Sequence, residues 1–330
     1  MSKETQKAIP PRAIAVVGPT ASGKTALAIE LAHRLSGEII SCDSMQVYRD
    51  MDIGTAKATK EERAQVPHHL IDFLPPNTPY SAADYGEDAY KIACALADRD
   101  ALPIFCGGTG LYLNAAVRAL HRTTPPPDPS IRARLQALSQ TEDGRTELFE
   151  RLCMLDPREA QKTHKNNTRR VIRALEIYEV TGMTKSRFDE ESASVPPRIE
   201  ILPILLDFHS RQLLYERIEK RVDLMMQEGL ENEARNLYAR GLLAPDTTAG
   251  QAIGYKELAA WLDGHITEEE AVAALKTATR HYAKRQLTWF RALDGVLSIA
   301  PDLPNCCIKT PAALADELMP AIHAFLNKKQ

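Results

Sequence analysis

The sequence predicts an α/β fold: a P-loop parallel sheet with helices on both faces, carrying an all-helical insert domain. Three observations carry this expectation. An apolar run over residues 14–17 stops at Gly18. Gly18-Pro19-Thr20-Ala21-Ser22-Gly23-Lys24-Thr25 then matches G-x-x-x-x-G-K-[ST] in full, and Leu27, Leu31 and Leu35 follow at helical spacing. Strand-like and helix-like segments go on alternating to about residue 120, which argues for crossover connections and a parallel sheet.

The elements read in order. Residues 14–17 are the first strand and the Leu27/Leu31/Leu35 stripe the first helix. Residues 38–42 form a second strand, and an apolar piece over 70–74 ends in a Pro-Pro pair. Ser81 is an N-cap for a helix that runs towards Asp98. Residues 102–106 read as a buried strand ending in Gly107-Gly108. At about residue 121 the pattern changes: Pro125-Pro126-Pro127 and Pro129 break the chain, and from 130 to 182 the periodicity is only helical. A second loop covers 192–197, strand character returns over 199–208, and Thr267 with Glu270 forms a capping box ahead of a long amphipathic helix. The expected division is a core of residues 1–120 and 198–330 interrupted by an insert over 121–197. Trp289 and Phe290 are assigned to the core.

Composition narrows the function classes. The chain has 330 residues, enough for two domains or one large one, and a formal net charge of −3, so any nucleic-acid contact must come from a local basic patch. Two such patches stand out. Residues 158–173 carry Arg158, Lys162, Lys165, Arg169, Arg170 and Arg173 against the single acid Glu159, and residues 280–291 carry four basic residues and no acid. No stretch approaches the roughly 18 consecutive apolar residues of a membrane helix, and the N-terminus is polar, so a cytoplasmic protein is expected. The cysteines (Cys42, Cys94, Cys106, Cys153, Cys306, Cys307) lack zinc-finger and C-x-x-C spacing and read as reduced thiols. His68 and His69 suit a strand, with one side chain inward and one outward, better than a metal site.

The phosphate loop carries the chemistry. Its glycines let backbone N–H groups point at phosphate oxygens, the following helix adds its positive end, Lys24 adds a full charge, and Thr25 offers a hydroxyl to magnesium. This implies a bound polyphosphate without saying which; ATP is one candidate. A nucleotide hydrolase usually adds a carboxylate after a second apolar strand, but residues 102–106 end in Cys-Gly-Gly. Asp207 ends a different strand, and nothing marks it as a metal ligand.

Asp43-Ser44-Met45-Gln46-Val47-Tyr48 follows the second strand directly. Beside this loop it resembles the tRNA dimethylallyltransferase (tRNA isopentenyltransferase) family in its bacterial form. Similar blocks follow in order: Gly54-Thr55-Ala56-Lys57, His68-His69-Leu70-Ile71-Asp72, Gly107-Gly108-Thr109-Gly110-Leu111-Tyr112, the stretch from Asn167 through Arg170 and Arg173 to Glu176, Arg221-Val222, Ala252-Ile253-Gly254-Tyr255-Lys256-Glu257 and Arg285-Gln286-Leu287-Thr288-Trp289. The resemblance runs over about residues 12–295, and the tail beyond matches nothing familiar.

The resemblance implies transfer of a dimethylallyl group from dimethylallyl diphosphate to the exocyclic amine of the adenosine 3′ of the anticodon. It implies Asp43 as general base and Thr20 and Arg221 as further catalytic groups. Gly18, Pro19, Thr20, Ala21, Ser22, Gly23, Lys24, Thr25 and Arg221 would hold the diphosphate, with Mg2+ on Thr25. Asp43, Ser44, Met45, Gln46, Thr109, Arg132, Arg169, Arg170, Val171, Ile172 and Arg173 would meet the tRNA anticodon stem-loop. Arg217 is given no role. A monomer is expected. Two other classes share part of this pattern: a P-loop small-molecule or nucleoside kinase, and a non-catalytic, nucleotide-gated RNA-binding protein.

Overall fold

A computed structural model describes residues 10–118, 128–245, 247–304 and 306–328. The Pro125-Pro126-Pro127 break lies outside them. In chain order the first elements are β1 (Arg12–Val17), α1 (Lys24–Leu35), β2 (Gly37–Ser41), α2 (Lys60–Gln65), β3 (His68–His69), α3 (Ala82–Ala97), β4 (Leu102–Gly107) and α4 (Gly110–Arg118). Then follow α5 (Pro129–Leu138), α6 (Glu142–Leu155), α7 (Pro157–Lys162), α8 (Thr168–Thr181) and α9 (Lys185–Ser194). The last are β5 (Glu200–Leu206), α10 (Arg211–Glu228), α11 (Leu230–Ala239), α12 (Tyr255–Leu262), α13 (Glu268–Phe290), β6 (Leu297–Ile299) and α14 (Pro311–Leu326).

The strands form one sheet in the order β3-β2-β4-β1-β5-β6, parallel throughout. β1 sits inside it and reads as an almost unbroken apolar run because both of its faces are covered. Alternate residues serve opposite faces: Ile14 and Val16 pack with α1 and α14, whereas Ala13, Ala15 and Val17 pack with α3, α4 and α11–α13. The tail after Gly295 thus has a structural role, since β6 extends the sheet beside β5 and α14 covers α1. The apolar piece over 70–74 is no full strand. Leu70 and Asp72 adopt φ of 55° and 60°, which break the pleat, and only Leu74 makes a bridge, to Tyr48.

The chain divides into two compact units: residues up to Val117 together with Arg198 onwards, and Arg118–Pro197. The second unit begins slightly ahead of the boundary at 121 read from the prolines. Within the first unit, the ends that flank the insert are joined, since Arg198 N–H donates to Val117 O at 2.8 Å. The Arg198 side chain tightens this seam through Ala116 O, Gly86 O, Ala115 O and the Glu87 carboxylate. The second unit is a helical cluster around Leu135, Leu148, Leu152 and Leu175.

Candidate active site

All strands run the same way, so the loops after β1, β2, β4 and β5 open at one sheet edge, where such sheets bind ligands. The loop after β1 turns through left-handed backbone at Ala21 (φ 62°) and Gly23 (φ 93°). For alanine this conformation costs about 1–2 kcal/mol, and the Ala21 carbonyl is held there by Arg217 Nε, which donates to it at 3.0 Å. Arg217, without a role in the sequence reading, therefore braces the phosphate loop from α10. Ser22 Oγ is buried in the loop with no partner in the protein, a donor suited to a phosphate oxygen. Lys24, at the start of α1, donates to Pro19 O at 2.7 Å. Burial lowers its pKa to about 8; neighbouring Arg221 pushes the same way, and Asp43 opposes it.

Asp43 follows β2. Its Oδ1 accepts the Met45 N–H at 2.9 Å, which folds the segment into a turn. Burial raises its pKa, against the opposing pull of the Met45 and Gln46 amides, Lys24 and Arg221. Arg221 on α10 completes the group. Burial lowers its pKa, Asp43 raises it, and it makes no hydrogen bond or ion pair among the described residues. A carboxylate and two cations at the open edge of the sheet thus sense one another's charge.

The glycine turn after β4 holds the segment that follows β2. A Cβ on Gly107 would lie 2.1 Å from Cys42 O, so only glycine lets the ends of β2 and β4 come this close. Thr109 N–H donates to Cys42 O at 3.0 Å, and Ser44 N–H donates to Thr109 Oγ1 at 3.1 Å. Gln46 receives the Ser41 hydroxyl at 3.2 Å and donates to Thr55 O and Ala56 O, each at 3.2 Å. Thr109 and Gln46 are therefore internally engaged supports. At the end of β4 stands Cys106, whose burial raises its thiol pKa to about 11, so it is neutral.

The surroundings of the site correct one sequence assignment and detail others. Trp289 is not core: it is exposed, with its ring over Gly110, while Phe290 is buried. The two rings pack edge to face with centroids 5.3 Å apart, the phenylalanine inside and the tryptophan at the surface. Asp207 is held by a two-pronged ion pair with Arg291. Among the basic residues of 280–291, Arg280 pairs with Glu219 and Arg291 with Asp207, leaving Lys284 and Arg285 at the surface. His69 Nε2 lies 2.6 Å from Glu38 Oε2, and His68 is pinned to Val66 O. Gln286, which the sequence reading left without a role, is buried between two active-site loops. Its sequence signal was its place in the family-like block from Arg285 to Trp289.

In the helical unit, Glu176 is fully buried on α8 and accepts from Arg132 at 2.8 Å, Arg173 at 2.7 Å and the Asp128 N–H at 3.1 Å. Arg132 and Arg173 are thus engaged with that carboxylate. Val171 and Ile172 point into the unit's core, so their side chains are corrected from RNA-facing to structural. Arg169 and Arg170 are exposed in the first turn of α8, which holds no acidic residue. Cations at the positive end of a helix dipole oppose local stability, an arrangement expected where anion binding matters more.

Known proteins match most of the chain's length in sequence and fold. The family description IPP transferase matches residues 46–293, and Isopentenyl transferase matches residues 11–71. A tRNA dimethylallyltransferase of Shouchella clausii is 46% identical over 316 residues, covering 96% of this chain and 97% of its own. That of Caldanaerobacter subterraneus is 45% identical over 282 residues, covering 85% and 89%. Among solved structures, a full-length tRNA isopentenylpyrophosphate transferase of Bacillus halodurans superposes with TM-score 0.67 at 40% identity, covering 95% of this chain and 97% of its own. A eukaryotic dimethylallyltransferase acting on tRNA superposes with TM-score 0.78 at 28% identity, covering 97% and 80%. Neither a kinase nor a non-catalytic regulator fits these matches: the chain belongs to the tRNA dimethylallyltransferase family of prenyltransferases.

Proposed function

We propose that this protein transfers a dimethylallyl group from dimethylallyl diphosphate to the exocyclic amine of the adenosine 3′ of the anticodon in tRNA. One observation carries the reading: a carboxylate, Asp43, lies within electrostatic reach of two cations, Lys24 and Arg221, beside a phosphate loop whose neighbouring strand ends in a neutral thiol. A hydrolytic site would put a carboxylate there. In the transfer the bond from the prenyl C1 to the diphosphate oxygen breaks and a bond from C1 to the adenine nitrogen forms. Lys24, Arg221, Ser22 Oγ and the loop amides take the negative charge that collects on the diphosphate, a stabilisation that grows as the bond breaks. Asp43 accepts the proton of the amine, whose lone pair is delocalised into the ring and gains nucleophilicity only as that proton leaves. The raised pKa of Asp43 makes it a stronger base than an ordinary aspartate.

The residues fit a magnesium ion. Magnesium binds through one or two protein oxygens and the substrate's phosphates, and the half-buried Thr25 hydroxyl at the head of α1 provides such an oxygen. Bound there, the ion would neutralise part of the diphosphate charge. Among the described residues no cluster of three or more His, Cys, Asp or Glu forms a larger metal cage.

A target base in an anticodon loop must leave its stack to reach Asp43. Ser44, Met45 and Gln46 follow Asp43 directly and would meet that base or its neighbours, and the exposed Arg169 and Arg170 would present charge to stem phosphates. Lys24, Asp43 and Arg221 come from one chain, so a monomer suffices. No helix among the described residues is long and apolar enough to cross a membrane, and a tRNA substrate points to the cytoplasm. Incubation with an unmodified anticodon stem-loop and radiolabelled dimethylallyl diphosphate, without ATP, tests the proposal. Label in RNA is expected; label absent unless ATP is supplied would refute it.

A further inference from the structure

Gln286 occupies a position that the reaction chemistry leaves unused. It lies on the buried face of α13 with Ala283 and Phe290, and it is 5% exposed. Its two amide atoms point to different loops: Oε1 accepts the Thr20 N–H at 3.0 Å, and Nε2 donates to Gly108 O at 3.0 Å. The fit is tight, since a Cβ on Gly108 would stand 2.0 Å from Nε2. Tyr282, one turn earlier, lies 3.4 Å from the same carbonyl.

The two loops carry opposite halves of the reaction. Thr20 belongs to the phosphate loop. Gly108 precedes Thr109, which holds Ser44 at 3.1 Å and thereby the segment that presents Asp43. Only a side chain that accepts at one end and donates at the other, across one planar group, can join them. Glutamate would accept at both ends, methionine would bond neither loop, and asparagine is a methylene shorter.

We propose that Gln286 is a positioning residue that fixes the distance between the leaving diphosphate and the base segment. The inference rests on the reading of the site as a prenyl diphosphate facing Asp43. A displacement of about 1 Å between reacting groups can cost on the order of 100-fold in rate with little change in binding.

The test uses the full chain with Gln286→Met, Gln286→Glu and, from the opposite side of the contact, Gly108→Ala. Single-turnover transfer of label from dimethylallyl diphosphate to an anticodon stem-loop gives the rate. Calorimetry gives the two affinities separately, and circular dichroism checks folding. The Met and Ala variants should lose about 30- to 100-fold in rate, with each affinity within about threefold of the parent. In an Asp43→Asn background, Gln286→Met should cost only a few-fold more, because the group it positions is gone. A general packing role would instead lower rate and both affinities together. With an active parent, rates within threefold in the folded variants overturn the inference, as do affinities that fall in step with rate or a full additional loss in the Asp43→Asn background. A parent that transfers no label overturns the reaction reading itself, and this inference with it.

Discussion

Lys24 links the electrostatics of the free site to a pH dependence that can be worked out in advance. In the free protein burial holds its pKa at about 8. The ammonium is therefore complete below that pH and lost above it. A bound diphosphate favours the charged form and raises the pKa again, so binding above pH 8 must draw in a proton. From pH 7 to pH 9 the charged fraction of the free protein falls from about nine-tenths to about one-tenth, and affinity should fall about tenfold. That is about 1.4 kcal/mol. Titration calorimetry of dimethylallyl diphosphate, repeated in buffers of different ionisation enthalpy at fixed magnesium, counts the protons taken up: near zero at pH 7 and approaching one at pH 9. Lys24→Arg supplies the reference, because a guanidinium keeps its proton throughout; its affinity should be nearly flat and its proton uptake nil. Equal slopes and no proton uptake in both proteins would refute the argument, since Lys24 would then be charged across the whole range.

Other outcomes follow from the same site and from the helical unit. Asp43→Asn should cost about 100- to 10,000-fold in single-turnover rate while prenyl diphosphate and RNA affinities, measured separately, move only a few-fold. With Asp43 intact, that rate should rise with pH through a value above the usual aspartate range, tracking the direction of its shift. Arg217→Ala releases the left-handed turn at Ala21 and should raise the dissociation constant of the diphosphate about tenfold, roughly one hydrogen bond to a charged group, by calorimetry. The double change Arg169→Ala and Arg170→Ala should weaken RNA binding and lower the slope of log affinity against log salt by about one for each phosphate left without its arginine. Glu176→Ala removes the buried carboxylate to which Arg132, Arg173 and the Asp128 amide donate, and should destabilise the helical unit by about 3 kcal/mol, seen as faster amide exchange in α5 and α8.

The local part of the active site was legible in the sequence because it is local. The phosphate loop is continuous from Gly18 to Thr25, and Asp43 follows a readable strand. What escaped were partnerships across long separations. Gln286 meets Thr20 over an interval of 266 residues, and Arg217 meets Ala21 over 196; neither leaves a periodic trace. Trp289 was misplaced for a related reason, since aromatic character suggests burial but only Phe290 of the touching pair reaches the core. Val171 and Ile172 sit in a basic run, yet a helix sends successive residues to different faces and these two go inward. The tail escaped because β6 is only three residues long and gains meaning as a strand from its partner β5.

The hydrogen bond between Arg198 and Val117 has a consequence for how such a protein could have been assembled over evolutionary time. The chain leaves the sheet domain and returns to it at neighbouring points already tied by the fold. A domain grafted there closes no new loop through the host, so its length and shape are nearly free of the host's folding entropy. The same seam would tolerate a larger graft, a smaller one or a short linker, because the fastening belongs to Arg198 and to the carbonyls at the end of α4. Selection could thus reshape the helical domain one lineage at a time while the sheet domain and its loops stayed fixed.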